Sequence, residues 1–417
     1  MYDVKEMLCN EVALRKEEMI KTCVETVRIP SETPPSDTIA MADYLYEVLR
    51  DVPGVSLSFH MKEEPVKNLV AVLKSGKPGK RLVFNGHIDT YPAGNHASWN
   101  ESPWSGSIKD GFIYGRGSSD MKGGIACFIT AFKVLAEHKD LWSGEIVLTL
   151  AGDEEAMGPR GTKYLLDSVP AAVGDAMICA DVGAPTSLRF GQKGLLWFEI
   201  EAIGKPAHGA HLHKGESAIN KLISALTRMD EEIPKLPFTM PAAIKEAILA
   251  GSAISEITAG PGETENLQKI TVNIGTIKGG TSPNLVPEYA KAEGDIRIPA
   301  GATLMQIENK IKEIVADYQG LSYRVLRAFD ANWSDVNHPL FSIAKENSEL
   351  ILQQPVVVTF RIGASDARLY RLEKGVPSIN CGLTPYGLGG PNEHVSIDEM
   401  VNIAKIHTLI ALDFLNA

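Results

Sequence analysis

Short apolar segments alternate with segments of helical periodicity through the first half of the chain. Residues 68–73, 81–85 and 144–151 have the length and composition of buried strands, and residues 12–27 and 37–49 have helical patterns. A further helix is predicted after residue 124, where apolar side chains recur every three or four positions: Ile125, Phe128, Ile129, Phe132 and Leu135. Strands separated by helices predict an α/β layer structure with a mostly parallel sheet.

The pattern changes near Gly194. Strand and helix patterns then follow in the order strand, helix, strand, strand, helix, strand, at residues 195–203, 216–233, 269–277, 288–298, 304–318 and 322–327. This order is typical of a small ferredoxin-like α+β sandwich. The α/β style resumes after about Phe329, so we expect residues 1–194 and 329–417 to form one domain and 195–328 to be inserted into it. Residues 240–268, rich in Gly, Pro and Glu, are expected to be an insertion loop.

Composition limits the classes of partner. A chain of 417 residues exceeds the usual size of one hydrophobic core, which favours two domains. It carries 41 Lys and Arg against 52 Asp and Glu, for a formal charge of −11, and has no long basic run. This argues against nucleic acid or a membrane surface as the partner.

The sequence also bears on compartment. No stretch approaches 18 uncharged apolar residues, and the first fifteen residues lack the pattern of a secretory signal. The five cysteines are scattered without a CxxC pair, which is typical of a reducing compartment. We therefore expect a cytoplasmic protein.

The strand at 81–85 runs into His87 and Asp89. Residues two apart in an extended chain point to the same side, so the Asp89 carboxylate is expected to accept a hydrogen bond from one imidazole nitrogen of His87. The other nitrogen would then bind a metal ion. A surface histidine without a ligand is the alternative.

A glycine-rich loop at residues 115–124 precedes the helix after residue 124. It lacks the GxxxxGK[ST] pattern, and GxGxxD places Asp120 where a dinucleotide-binding loop needs glycine. A carboxylate there repels phosphate and attracts a cation, which disfavours a dehydrogenase. Asp120 is therefore either a metal ligand or part of an ordinary helix start.

The strand at 144–151 ends in three acids, Asp153, Glu154 and Glu155. They are either a solvated acidic turn or residues with separate duties, one binding metal and its neighbour acting as a general base. Asp181 follows another strand, and His394 lies in a turn near residue 392. Ligands collect at the carboxyl edge of such sheets, and two histidines with several carboxylates suit zinc, cobalt or manganese.

Taken in order, these motifs resemble the M20 family of co-catalytic metallopeptidases, and most of all its branch of acetylornithine deacetylases and succinyl-diaminopimelate desuccinylases. The motifs are GHIDT (86–90), GRGSSDMKGG (115–124), GDEE (152–155), Asp181, KPAHGA (205–210), SPNLVP (282–287), GDIRIP (294–299), GASDAR (363–368) and NEH (392–394). The resemblance implies a zinc-peptidase-like mixed sheet flanked by helices, with an inserted ferredoxin-like lid that also forms a homodimer.

The resemblance also implies the ligands of two divalent metal ions, with zinc expected first and cobalt or manganese as alternatives. Asp120 would bridge the ions, His87 and Asp181 would complete one, and Glu155 and His394 the other. Glu154 would be the general base and Asp89 the partner of His87, and the Asp120–Met121 peptide would be cis. Asp at position 181 is closer to deacetylases and dipeptidases than to desuccinylases.

Four further residues are candidates for contact with the substrate. The resemblance makes His208 an oxyanion-stabilising residue and turns Asn284 and Arg297 toward the substrate. Arg368 would bind a substrate carboxylate. The alternatives are a solvated histidine cluster for His208, a solvent-facing strand for Arg297 and a surface ion pair for Arg368.

These features together predict a metal-dependent amidohydrolase that cleaves the C–N amide bond of an N-acyl amino acid through a metal-bridging hydroxide. A dipeptidase or carboxypeptidase with the same site is the alternative, and a catalytically silent metal- or ligand-binding relative is a third. The expected partner is a small acylated amino acid or short peptide.

Overall fold

The computed structural model describes residues 2–417, which divide into two compact units. The first contains the described residues up to Phe190 together with Trp333–Thr359 and Ser365–Ala417, and the second contains Gly191–Asn332 and Phe360–Ala364. The sequence pattern does not indicate that the segment Phe360–Ala364 belongs to the second unit.

The α-helices are Tyr2–Leu14 (α1), Lys16–Arg28 (α2), Ile39–Leu49 (α3), Gly123–Glu137 (α4), Thr162–Ser168 (α5), Ala218–Glu232 (α6), Ala242–Ala250 (α7), Ser252–Thr258 (α8), Glu263–Leu267 (α9), Leu304–Ala316 (α10), Pro339–Leu352 (α11), Ala367–Lys374 (α12) and Ile397–Asn416 (α13). The strands are Val55–His60 (β1), Asn68–Lys74 (β2), Arg81–His87 (β3), Ser107–Lys109 (β4), Phe112–Tyr114 (β5), Glu145–Ala151 (β6), Ala176–Cys179 (β7), Ser187–Gln192 (β8), Gly194–Ile203 (β9), Ala207–His208 (β10), Thr271–Gly279 (β11), Leu285–Val286 (β12), Tyr289–Ile298 (β13), Leu321–Phe329 (β14), Asn332–Trp333 (β15), Val357–Arg361 (β16), Ser378–Asn380 (β17) and His394–Ser396 (β18).

The largest sheet has nine strands in the order β1-β2-β6-β3-β7-β17-β8-β15, with β16 paired to β8. Pairing is parallel among β6, β3, β7 and β17, while β1, β2 and β8 join antiparallel. The predicted α/β layers are confirmed, but the expectation of a mostly parallel sheet is wrong because antiparallel strands extend both sides of its parallel centre.

The central strands are buried on both faces, as their continuous apolar runs require. On one face α4 packs against α13 and α2 and places Phe128 and Phe132 in the core. On the other face α5 and α12 pack against the sheet through Leu165 and Tyr370. Each large apolar side chain buried this way contributes about 2 kcal/mol. The parallel strands are thereby held in register, and their carboxyl ends form one edge.

The second unit has a four-stranded antiparallel sheet in the order β11-β13-β9-β14, covered by α6 and α10. The apolar positions of α6 follow helical spacing, at Leu222, Ala225, Leu226 and Met229, and all are buried against the sheet. Residues of β13 alternate between buried and half-buried along its length. Its main elements follow the chain in the order β9, α6, β11, β13, α10, β14, with α7, α8, α9, β10 and β12 in addition.

Two local predictions are wrong. The helix expected at residues 12–27 is two helices that meet at Arg15, whose backbone leaves the helical region. The loop expected at residues 240–268 contains α7, α8 and α9, which bury Ile244, Ile248 and Leu267. These helices have five to nine residues, too few for a periodic pattern to appear in the sequence.

None of the helices within residues 2–417 is both long and apolar enough to cross a membrane.

Candidate metal centre

The carboxyl end of β3 brings His87 next to Asp120. The Nε2 atom of His87 lies 3.1 Å from Oδ1 of Asp120, and both side chains are less than 10% exposed. Asp120 belongs to the turn Ser118–Lys122, which is introduced by Gly117 at a φ of 79° and whose Asp120–Met121 peptide is cis, as the resemblance implies. A Cβ on Gly117 would lie 2.4 Å from Thr90, so this tight turn requires glycine.

His87 is oriented through a different atom of Asp89 from the one expected. Its Nδ1 lies 3.0 Å from the backbone carbonyl oxygen of Asp89 and 3.7 Å from the carboxylate. The predicted hydrogen bond to the Asp89 side chain is therefore wrong, because the chain turns after His87 and presents the carbonyl group. The orienting effect is kept: Nδ1–H donates to a fixed acceptor, which leaves Nε2 as the atom that can bind a cation.

The Asp89 carboxylate instead holds the acidic turn after β6. Its oxygens accept hydrogen bonds from the backbone N–H groups of Glu154, at 3.1 Å, and Glu155, at 3.2 Å. The Thr33 hydroxyl donates a third, at 2.6 Å. Burial raises the pKa of Asp89, and the nearby His87 and these donors oppose that rise. Asp89 therefore fixes the backbone on which Glu154 and Glu155 are carried.

His87, Asp120 and Glu155 form a compact donor cluster. One potential ligand atom from each lies within 4.8 Å of the other two. The Oε1 atom of Glu155 is buried and has no hydrogen-bond partner among the described residues. A buried carboxylate oxygen without a donor is costly unless something positive lies next to it. The donor set and this oxygen both fit a divalent cation.

The charges of the cluster support the same conclusion. Burial, together with the neighbouring Asp120, raises the pKa of Glu155. Burial alone would lower the pKa of His87, but Asp120 and the two glutamates raise it well above its usual value. Carboxylates this close destabilise one another's ionised form. A metal ion supplies the positive charge that would keep them ionised.

Asp181 and His394 lie outside this group of three. Asp181 follows β7, is 4% exposed, and is one of the acids whose charge raises the pKa of Glu154. His394 begins β18, which pairs with β5, and its ring stacks on Tyr114 and Tyr386. Its Nδ1 lies 2.8 Å from the Asn392 carbonyl oxygen, so its Nε2 is left as the ligand atom, as in His87.

Glu154 lies beside a buried arginine. Its Oε1 is 3.3 Å from Nη1 of Arg368, and that group also donates to the Ser365 carbonyl oxygen at 2.8 Å. Burial raises the pKa of Glu154, with Asp366 adding to the rise and His87 and Arg368 opposing it. Arg368 is 3% exposed, which rules out the surface ion pair considered from the sequence.

Glu393 is a residue that the sequence reasoning missed. It is 1% exposed and binds Arg116 at 2.6 Å. It also accepts hydrogen bonds from the backbone N–H groups of Gly117, Ser119 and Asp120 and from the Ser119 hydroxyl. This one carboxylate shapes the loop that carries Asp120. The available signal was the NEH motif, in which Glu393 directly precedes His394.

In the second unit, His208 and Asn284 lie close together. β10 pairs with β12, and the Gly209 N–H donates to the Asn284 carbonyl oxygen at 2.7 Å. His208 is exposed, and its Nδ1 accepts a hydrogen bond from the Ala210 N–H. The rings of His211 and His213 follow at centroid spacings of about 6 Å.

Arg297 is not near this pair. It lies at the far end of β13 and donates to Asp295 on the same strand face at 3.0 and 2.9 Å. The eight steps from Tyr289 to Arg297 extend over about 26 Å of strand. The structure thus separates Arg297 from His208 and Asn284 within the second unit.

Comparison with known proteins identifies the family. The model of peptidase family M20/M25/M40 matches residues 83–413. The chain belongs to this family. The matched segment contains every candidate residue described above.

Proteins of other organisms match along nearly their whole length. The succinyl-diaminopimelate desuccinylase of Rhodospirillum centenum is 28% identical, over 93% of each chain. A metallo-carboxypeptidase of Sulfolobus solfataricus has a similar fold, with a TM-score of 0.81 at 20% identity, covering 95% of this chain and 99% of its own. A Bacillus subtilis protein described as a dinuclear metal binding peptidase aligns with a TM-score of 0.64 at 14% identity, over 97% and 99% of the two chains.

Family membership makes this M20 protein a metal-dependent hydrolase of C–N amide bonds. The zinc-peptidase-like fold expected from the resemblance is confirmed by the M20 structural neighbours.

Proposed function

We propose that this M20 hydrolase removes the acyl group from an N-acyl amino acid, with dipeptide cleavage as the alternative. The observation that carries the proposal is the group of buried His87, buried Asp120 and half-buried Glu155, directly beside Glu154. The desuccinylases that match over more than nine-tenths of both chains support an acylated amino acid as substrate.

The metal ligands follow from the donor atoms. His87, Asp120, Glu155, Asp181 and His394 would together hold a two-ion centre, with His87 and Asp181 on one ion and Glu155 and His394 on the other. Imidazole and carboxylate ligands suit zinc, with cobalt and manganese as alternatives. Bound there, the ions would polarise the amide carbonyl and lower the pKa of the attacking water.

Glu154 would move the proton. Its carboxylate accepts a proton from the attacking water and later returns it to the nitrogen of the leaving amine, so the carboxylate is regenerated in each turnover. A pKa raised by burial suits this exchange near neutral pH. Arg368, at 3.3 Å, holds the carboxylate in one orientation and is also a candidate for binding a substrate carboxylate.

The inserted unit would supply substrate contacts. His208 and Asn284 lie close together and His208 is exposed, which supports a role in contacting a ligand for this pair. Arg297, at the other end of β13, would contact a different part of the substrate. The homodimer through this unit, implied by the family resemblance, is part of the same proposal.

A substrate panel tests the proposal. N-acetyl, N-succinyl and N-formyl amino acids and dipeptides should be supplied with zinc, cobalt or manganese, and release of free amine measured. We expect one acyl class to be cleaved fastest, and faster cleavage of dipeptides would establish the alternative. No hydrolysis of any amide would contradict the proposal.

Glu154→Gln tests the assigned base. The variant should retain bound metal and lose roughly a thousandfold in kcat, because proton transfer by a positioned carboxylate contributes about that much. Glu137→Gln, a substitution of an exposed acid on α4, is the control. Unchanged turnover in Glu154→Gln would remove Glu154 from the mechanism.

A further inference from the structure

Two hydroxyl groups connect the buried carboxylates Asp89 and Asp153. The Thr33 hydroxyl donates to Asp89 at 2.6 Å and lies 2.7 Å from the Ser36 hydroxyl, which reaches Asp153 at 3.1 Å. All four side chains are at most 6% exposed. Neither hydroxyl belongs to the metal ligands or to the proposed base.

This connection closes a ring. Asp153 directly precedes Glu154 and Glu155, whose backbone N–H groups bind Asp89. The path from Asp89 through Thr33 and Ser36 to Asp153 therefore returns along the chain to Asp89. A turn held at both ends in this way has far less freedom than one held by a single bond.

The hydroxyl protons also determine which group donates in each hydrogen bond of the ring. Thr33 and Ser36 have two protons for three contacts, so the Ser36 proton is shared between the Thr33 oxygen and Asp153. A hydroxyl that accepts a hydrogen bond becomes a better donor, because bonds in a chain polarise one another. Ser36 thus strengthens the short bond from Thr33 to Asp89.

The backbone of the turn depends on these contacts. Asp153 has a φ of 71° and Ser36 a φ of 67°, a left-handed conformation that costs a non-glycine residue about 1 kcal/mol or more. Arg160 holds the other side of Asp153 with bonds from its guanidinium group at 2.7 and 3.1 Å. The conformation at Asp153 directs the next two N–H groups toward Asp89.

We propose that Thr33 and Ser36 are positioning residues that set the location of Glu154 and Glu155 through Asp89 and Asp153. They touch neither substrate nor metal. Their effect is on metal affinity, through Glu155, and on kcat, through Glu154. This inference rests on the metal site of the proposed function.

The backbone of this segment is secured independently, so the hydroxyls can be removed without unfolding it. The Thr33 N–H donates to the Thr90 carbonyl oxygen at 2.8 Å, and the Thr90 N–H to the Ser31 carbonyl oxygen at 2.9 Å. The Ser36 N–H donates to Glu32 at 2.9 Å. A variant at position 33 or 36 therefore tests the hydroxyl alone.

The test compares Thr33→Val, Thr33→Ser and Ser36→Ala with Thr408→Val. Thr408 is also buried, and its hydroxyl donates within its own helix to the Ala404 carbonyl oxygen. Zinc affinity is measured by competition with a chelator, kcat and KM on the best substrate of the panel, and thermal stability on the metal-free proteins.

We expect Thr33→Val to bind zinc roughly 10- to 100-fold more weakly and to lose a similar factor in kcat, with KM within about twofold of wild type. Ser36→Ala should show a smaller loss in the same direction. Thr33→Ser should restore both values, and Thr408→Val should match wild type in zinc affinity and kcat.

Two results would overturn the inference. One is Thr33→Val with the zinc affinity and kcat of Thr408→Val, and the other is Thr33→Ser as impaired as Thr33→Val. Failure of wild type itself to bind a divalent ion or cleave an amide contradicts the proposed function instead, so the two failures are distinguishable.

Discussion

The candidate residues of the first unit and those of the inserted unit are held in opposite ways. In the first unit, His87, Asp89 and Glu393 are at most 2% exposed, and each makes at least one hydrogen bond to a distant part of the chain. In the inserted unit, His208 is exposed and its side chain accepts a hydrogen bond from the Ala210 N–H of its own turn. The first arrangement is fixed before any substrate arrives.

The difference lies in the energetic cost and the rigidity of the two groups of side chains. Buried carboxylates without nearby cations are unstable, so the first unit accepts that cost to build a rigid donor set. An exposed histidine costs little and adapts to what it touches. We therefore expect substitution of the buried, hydrogen-bonded carboxylates Asp89 and Glu393 to affect stability and metal binding, and substitution of the exposed His208 to affect turnover without loss of stability.

Among the substitutions that test this contrast, Glu393→Gln is expected to have the largest effect on the free energy of unfolding. It leaves Arg116 buried without its charged partner and weakens the bonds to the loop of Asp120, so we expect a loss of about 4 kcal/mol in the free energy of unfolding. Urea denaturation of the metal-free protein measures it.

Glu308→Gln is the matched control for this prediction. Glu308 pairs with Lys312 on the surface of α10, an i, i+4 pair that contributes at most about 0.5 kcal/mol. Equal losses in the two variants would show that the buried pair is no more important than an exposed one.

Much of this contrast is visible in the sequence, and some of it is not. His87, Asp120 and Glu155 follow from strand ends and local motifs, because parallel strands bring their carboxyl ends to one edge. The role of Glu393 does not, because its bonds to the Asp120 loop span 273 residues of sequence. Likewise, spacing places Asp89 beside His87 but does not tell whether its carboxylate or its carbonyl group faces the ring.

The pH dependence of the free energy of unfolding is expected to differ in its response to a buried and to an exposed histidine. His407 is fully buried between Phe84 and Phe128, with Nε2 at 2.7 Å from the Cys381 carbonyl oxygen. Burial lowers its pKa to about 4. Between pH 6.5 and 4 the unfolded chain binds the proton and the folded one does not, so stability is full above pH 6.5 and falls by about 3 kcal/mol toward pH 4.

His407→Gln keeps a hydrogen-bond donor and removes this titration. Urea denaturation between pH 4.5 and 7 should give a flatter dependence for the variant than for wild type. His213→Gln, in the exposed histidine cluster of the inserted unit, should leave the dependence unchanged. Parallel curves for wild type and His407→Gln would contradict the assignment.

The smallest effect on the free energy of unfolding is expected for His208→Ala. Its exposed side chain contributes little packing, so the urea midpoint should stay within error of wild type. If it stabilises the developing oxyanion, kcat falls roughly 100-fold. His211→Ala is the neighbouring control. A loss of stability in His208→Ala would show that the His208 side chain contributes to the packing of the inserted unit, against the contrast between the two units.

The bonds of Glu393 also have a consequence for the order of events during synthesis. Asp120 leaves the ribosome 273 residues before one of the carboxylates that bind its loop, and the whole inserted unit is made between them. The nascent first unit therefore exposes the Asp120 loop without the Glu393 carboxylate that shapes it, while the inserted unit is already complete enough to fold. Translation, rather than metal supply, sets the earliest moment at which this loop can reach its final form.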